Sequence, residues 1–174
     1  PLAVGSATRE WLRTSIVGGR SGNATLRLKG PLAQFPFRDG KQGIFQVKGT
    51  FQGADLNYAS GWPMITGIDG ELLFEGVRML IRGERATLSG VRLSNVTAEI
   101  HDLEHHEEIL IVNGRASGAT QQFFDFIETS PVGERIDHFT QPMTASGRGE
   151  LDLKLVFPLR RMADTQVQGR YRFA

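Results

Sequence analysis

Apolar and polar residues alternate in short runs along the chain, and glycine falls between the runs. Alternation with a period of two places the apolar side chains of a strand on one face of a sheet. The runs are Ala24–Lys29, Ile44–Phe51, Glu71–Phe74, Val77–Arg82, Val91–Ile100, Glu108–Val112, Gly149–Phe157 and Val167–Phe173. Closely spaced glycines in the middle of the chain favour an antiparallel meander over strands joined by crossover helices. The pattern predicts a mainly β (α+β) fold of long twisted strands.

Seven of the apolar residues in these runs are candidates for a shared inner face of the sheet. The candidates are Phe45, Val47, Phe51, Leu72, Phe74, Leu151 and Leu153. Within each run they stand an even number of positions apart, which puts them on the same side of their strand.

Two segments have helical spacing instead. The first, near 6–17, is expected to end at Gly18 and Gly19, which we interpret as a helix stop and turn. The second, near 120–130, is rich in phenylalanine and is expected to stop before Pro131. A helix that packs its apolar face on the end of a sheet is the simplest interpretation of the second segment, because it lacks a basic flank for a lipid surface.

The two ends of the chain show a weak internal repeat. Five residues between Ser21 and Lys29 recur in the same order and spacing between Ser146 and Lys154. A true repeat makes residues 1–145 one module and 146–174 the start of a second, incomplete one, whose edge is paired in the intact protein. Coincidence among amphipathic strands is the alternative.

Composition excludes several classes of function. The chain has 20 Lys and Arg against 19 Asp and Glu, so its balanced charge predicts no nucleic-acid partner. It has no cysteine, which excludes disulfides and thiol nucleophiles. Its apolar stretches are far shorter than the roughly 20 residues that a membrane span requires. Both ends look cut, which indicates an excised segment.

The richest chemical cluster, His101–Glu108, lies between two strand patterns. It contains histidines and carboxylates that zinc accepts, but a solvated hairpin loop without metal is the interpretation we adopt. Asp125, Glu128 and Asp137 suggest an acid–base pair, yet carboxylates beside a helix end are ordinarily solvated or cap it. No nucleophile elbow or phosphate-binding loop is present. The sequence therefore indicates no catalytic residue, no metal and no cofactor.

Motifs along most of the chain resemble a known family. They are Trp11-Leu12, Gly22-x-Ala-x-Leu-x-Leu-x-Gly30, Pro31-Leu32, Phe35-Pro36-Phe37, Gly43-x-Phe45-x-Val47, Leu56-x-Tyr58, Trp62-Pro63 and Gly70-x-Leu72-x-Phe74. This pattern resembles the central region of YhdP-type proteins of the AsmA-like family. The motifs are structural, so they identify a family better than a mechanism.

The resemblance implies a bridge-like, inner-membrane-anchored periplasmic protein of a Gram-negative bacterium. Such a protein holds phospholipid in a groove of repeated β modules and carries it between the inner and outer membranes. Its expected partners are phospholipid, neighbouring modules of the same chain, and membranes reached through other parts of the protein. The seven candidate residues would then contact acyl chains. A closed β-sandwich that binds a protein or polysaccharide is the alternative.

Overall fold

A computed structural model describes Glu10 and residues 13–173 of the protein. Eight strands form one antiparallel sheet in which every strand pairs with its neighbours in chain order. The strands are β1 (Ile16–Lys29), β2 (Ile44–Leu56), β3 (Ile65–Glu75), β4 (Arg78–Leu88), β5 (Val91–Ile100), β6 (Ile109–Ala119), β7 (Arg148–Pro158) and β8 (Gln166–Phe173). The predicted β-rich antiparallel meander is confirmed.

The helices lie mainly between β6 and β7. Helix α1 (Thr120–Glu128) forms from the phenylalanine-rich segment, and α2 (Pro131–Arg135) follows it. Ser130 caps α2 by accepting a hydrogen bond from Val132 N–H at 3.3 Å, and Pro131 occupies the first turn, where its missing N–H costs nothing. Single 3-10 turns occur at Leu32–Gln34 and Met162–Asp164.

Most of the first predicted helix, near 6–17, lies outside the described residues. Residues 13–15 are helical, and Ile16 already begins β1. Gly18 and Gly19 lie within β1, so the expected helix stop at these glycines is wrong. The strand is held there by pairing with β2, in which Gly18 lies opposite Asp55.

A line of irregularities crosses β1 to β5 near the middle of the sheet. The register shifts between Ser21 and Ala24 in β1 and between Gly83 and Arg85 in β4. Positive φ values occur at Gly53 in β2 (59°), Gly67 in β3 (63°) and Asn95 in β5 (51°). A bulge bends its strand and increases the local twist. Because these irregularities lie in successive strands, they bend the sheet along a line that runs across the strands.

The core is small, and its main cluster lies on one face of the sheet, whereas buried Leu80 lies on the other. Met79, Ile100 and Leu103 are buried together, and Leu72 and Phe74 are among the half-buried residues packed against them. The described strands form a single sheet with no second sheet above it. The alternative of a closed β-sandwich is therefore wrong for the described part of the chain.

Candidate functional site: an apolar sheet face between two margins

One face of the sheet, here called the apolar face, carries an unbroken row of apolar side chains and glycine. Directly paired residues in antiparallel strands lie on the same face, so the register defines the row. The row is Ala24, Gly49, Leu72, Ile81, Ala98, Val112, Leu155 and Val167, one residue from each of the eight strands. Seven strand spacings give it a length of about 34 Å.

A second row beside it on the apolar face is also free of polar side chains. It consists of Leu26, Val47, Phe74, Met79, Ile100, Leu110 and Phe157. At both outer strands the apolar face is open to solvent. Leu26 on β1 is 65% exposed and Val167 on β8 is 64% exposed.

All seven residues predicted from the sequence lie on the apolar face. Val47 and Phe74 are directly paired, Leu72 lies opposite Gly49, and Phe51 lies opposite Gly70. Leu151 and Leu153 lie on the same face of β7, four strands away from β3. The structure therefore places the candidates in two groups on one surface.

Several of the predicted residues also pack against other parts of the protein. Leu72 and Phe74 contact the buried cluster around Met79, and the ring of Phe45 meets that of Phe35 with 4.8 Å between centroids. Their side chains therefore stabilise the fold. The more exposed Leu26 and Val167 were missed as candidates, although the alternation in their own runs marks them.

The opposite face is mainly polar and carries ion pairs between neighbouring strands. Arg82 contacts Glu71 at 2.6 Å, and Asp152 lies between Arg115 at 3.0 Å and Arg172 at 2.7 Å. These pairs are exposed, so each contributes little to stability. A strip of Leu73, Leu80, Ile111 and Val156 interrupts the polar face. The two faces nevertheless differ: one presents apolar side chains to a ligand, and the other presents mainly charged and polar side chains.

Carboxylates on the polar face hold the bent region of the sheet. The N–H of Gly53 donates to Asp69 at 2.8 Å, and the N–H of Gly67 donates to Asp55 at 3.0 Å. The hydrogen bond from Gly53, followed by the ion pair with Arg85, lowers the pKa of Asp69 below its ordinary value. Both bulge N–H groups thus gain the partner that the strand ladder does not supply.

One margin of the apolar face, here called the charged margin, consists of the loops 30–43, 101–108 and 159–165. Arg38 in the first loop donates to Asp102 at 2.9 Å and Glu104 at 2.7 Å, and Arg160 in the third loop donates to Glu108 at 2.9 Å. The middle loop is therefore tied to both of the others by ion pairs. The loop 101–108 is evident from the sequence, whereas its pairing with Arg38 and Arg160 is not.

The same contacts shift the pKa values of the acids in the charged margin. The N–H of Glu104, and then Arg38, lower the pKa of Asp102, while Arg160 lowers that of Glu108. These lowered pKa values keep the two acids ionised and paired with the arginines of the neighbouring loops. Among the described residues, no group of three or more His, Cys, Asp or Glu side chains is placed to hold a metal ion.

The other margin, here called the helical margin, consists of the loop 57–64 and α1. The ring of Phe126 lies 6.0 Å from Trp62 of the loop, and the ring of Phe123 lies 5.2 Å from Tyr171 of β8. In a flat sheet β3 and β8 would be about 24 Å apart. Because Phe123 and Phe126, one helical turn apart, contact β8 and the loop that precedes β3, this margin of the sheet curves around α1.

Side-chain contacts fix α1 in this position. Tyr171 donates its hydroxyl proton to Thr120 Oγ1 at 3.1 Å, and Gln122 accepts from the N–H of Ala119 at 2.9 Å. Burial raises the pKa of Tyr58 in the adjacent loop to about 12, so its phenol stays neutral. The helical margin is thus aromatic, whereas the opposite margin is charged.

These features define a β scaffold with one apolar sheet face, which packs against Leu103 in its middle, is open at both outer strands and is bordered by two different margins. The chain belongs to the YhdP protein family, whose family model matches residues 1–174. The resemblance recognised in the sequence is thereby confirmed.

A curated relative is the intermembrane phospholipid transporter YhdP of Escherichia coli (strain K12). It is 28% identical over 150 residues, which cover 86% of this chain and 12% of the relative. The chain thus matches about an eighth of that protein's length. No solved structure matches the chain. In the described residues, no helix has the length and apolar character needed to cross a membrane.

Proposed function

We propose that this chain is a non-enzymatic segment of a periplasmic, bridge-like protein that holds phospholipid acyl chains on its apolar face. The observation that carries the proposal is the apolar row across all eight strands, which no second sheet covers in the described residues. Membership of the YhdP family supports phospholipid as the cargo. The movement of lipid between the inner and outer membranes is part of the same proposal.

The physical chemistry of the apolar face suits an acyl chain. Each methylene that leaves water contributes about 0.8 kcal/mol, so a chain of about 16 carbons gains on the order of 10 kcal/mol before ordering costs. An extended acyl chain needs no fixed polar pocket along its length. A strip of apolar side chains interrupted only by glycine, such as the row from Ala24 to Val167, is therefore a sufficient binding surface.

The two outer strands give the proposed path a means of continuing. Leu26 on β1 and Val167 on β8 belong to the apolar face and are largely exposed, and among the described residues each outer strand pairs along one edge only. Pairing of these edges with neighbouring modules of the same protein would extend both sheet and apolar face. Parts of the protein beyond these residues would connect the path to the membranes.

Lipid extraction tests the proposal. We expect phospholipid to co-purify with the full-length protein and to be identified by mass spectrometry after solvent extraction. A matched preparation of Leu26→Asp should retain less lipid than one of Thr25→Asp, whose side chain lies on the polar face. Absence of co-purifying phospholipid, or equal retention by the two variants, would contradict the proposal.

A further inference from the structure

The interior of β2 contains a glycine that the fold itself does not explain. Gly49 lies on the apolar face between Val47 and Phe51, paired with Ala24 on one side and Leu72 on the other. Glycine in a strand interior weakens the strand, and it ordinarily marks a bulge, a tight bend or the close approach of another group.

Neither a bulge nor a special backbone conformation accounts for Gly49. The pairing of β2 with β3 runs without a shift from Gln46 to Phe51, and that with β1 is regular from Gly49 to Ile44. The register with β1 shifts directly beyond Gly49, between the pairs Ala24–Gly49 and Ser21–Phe51, but the extra residue of that bulge lies in β1 and not in β2. The φ of Gly49 lies outside the positive range that only glycine adopts readily. The irregularity of β2 occurs further along, at Gly53.

Close approach within the described structure does not account for it either. A Cβ atom added at Gly49 would meet no heavy atom within 4 Å. Other glycines with equally open surroundings, Gly40, Gly53, Gly67 and Gly147, all have positive φ values. Gly49 thus combines an ordinary strand backbone with open space above the apolar face.

We infer that Gly49 is the point at which a phospholipid acyl chain crosses β2, with its methylenes lying against the bare backbone. This inference rests on the proposed function and adds a position that limits acyl-chain passage. The absent side chain of Gly49 leaves a gap in the apolar face between Val47 and Phe51. The small side chain of Ala24, which is paired with Gly49, keeps the neighbouring part of β1 low as well. A side chain at position 49 would fill the space through which the chain passes.

A graded series of substitutions separates this role from a structural one. Since a Cβ atom at position 49 would meet no heavy atom within 4 Å, Gly49→Ala should fold with a melting temperature equal to or above that of the wild type. Gly49→Trp should also fold, because its Cβ is accommodated in the same way and the apolar face beside it lies at the surface. Lys48→Trp is the matched control, because it places the same indole on the opposite face of the same strand. The series therefore changes the volume on the apolar face while β2 keeps its pairing.

The assay uses phosphatidylethanolamine with a diazirine in one acyl chain, photolysed with the full-length protein in detergent micelles, and mass spectrometry to locate the labelled residues. We expect wild type and Lys48→Trp to be labelled at Val47, Phe51 and Leu153. Gly49→Trp should lose labelling at Val47 and Phe51 by about tenfold and keep it at Leu153. Gly49→Ala should fall between wild type and Gly49→Trp.

The possible failures are distinguishable. Undiminished labelling of Val47 and Phe51 in folded Gly49→Trp would overturn the role of Gly49 alone. So would wild-type labelling that includes Leu153 and never reaches Val47 or Phe51. Absence of wild-type labelling from the entire apolar face would overturn the proposed function as well.

Discussion

The substitution Leu26→Asp is expected to separate lipid holding from folding. Leu26 belongs to the apolar face on β1 and is 65% exposed, so only about a third of its side chain is protected from water. Full burial of leucine contributes about 1.5–3 kcal/mol, and the folding cost of the substitution is therefore about 0.5–1 kcal/mol. Domains have about 5–15 kcal/mol of stability, so the variant should remain folded.

The same carboxylate should weaken lipid binding considerably more. It stays hydrated and keeps the neighbouring part of an acyl chain away from β1. Loss of contact for about two methylenes costs about 1.6 kcal/mol, which corresponds to about a fifteenfold loss of occupancy. Thr25→Asp introduces the same charge one residue away on the polar face, opposite Lys48, and serves as the control.

Two measurements on the wild type and on each variant separate an effect on folding from an effect on lipid holding. Thermal melting reports folding, and quantification of co-purifying phospholipid per mole of protein reports lipid holding. We expect both variants to melt within a few degrees of the wild type, with lipid lost only from Leu26→Asp. A folded Leu26→Asp variant with wild-type lipid content would refute the assignment of the apolar face. Equal lipid loss from Thr25→Asp would refute it too.

Three further predictions concern the fold that supports the site. Met79→Asp should prevent folding, because Met79 is 6% exposed and an unpaired buried carboxylate costs several kcal/mol. A circular dichroism spectrum of the variant like that of the wild type would contradict the position of Met79 in the core. Gly90→Ala should lower the melting temperature more than Gly147→Ala. Both positions have positive φ, but only at Gly90 would the new Cβ lie 2.5 Å from Gln122 Nε2, whose side chain is held by the N–H of Ala119. Equal shifts would argue against a fixed position of the Gln122 side chain. The pKa of Asp69 is lower in the folded protein than in the unfolded chain, so the ionised carboxylate stabilises the folded protein at a pH above its ordinary pKa of about 4. This stabilisation is lost as the pH falls from about 4 through the lower pKa of the folded protein. Asp69→Asn should make the melting temperature less dependent on pH in this range, and an unchanged dependence would contradict the assignment.

Strand positions could be predicted from the sequence, but strand lengths could not. The run Ile44–Phe51 was recognised and β2 continues to Leu56, because the bulge at Gly53 breaks the period of two that defined the run. In β3 the prediction began at Glu71 although the strand begins at Ile65, on the far side of the bulge at Gly67. A bulge shifts the alternation by one residue, so a pattern read with a fixed period ends there.

The start of β1 was missed for a different reason. Gly18 and Gly19 have the composition of a helix stop, and no apolar alternation marks the residues between them and Ala24. What makes this segment a strand is its pairing with β2, in which Ile16 lies opposite Leu56. Long-range pairing of this kind outweighs local propensity and leaves no local signal.

The sequence predicts the apolar face of the sheet but not the charged and helical margins that border it. Alternation alone placed Phe45, Val47 and Phe51 on one side of β2, and the structure agrees. The arginines that tie the charged margin together lie 64 and 52 positions from their partners. Their pairing depends on the turns of the meander, which a local pattern does not contain. The modules at residues 1–145 and 146–174 remain a prediction.

The central claim is that phospholipid lies on one face of the sheet, and residue-by-residue photolabelling along β2 tests it most directly. The wild-type full-length protein is photolysed with diazirine-bearing phosphatidylethanolamine, and labelled residues are located by mass spectrometry. We predict labels at Phe45, Val47 and Phe51, on the apolar face, and none at Lys48 or Thr50 on the polar face. Labels without this period of two, or no labels in β2 and the neighbouring strands, would contradict the account.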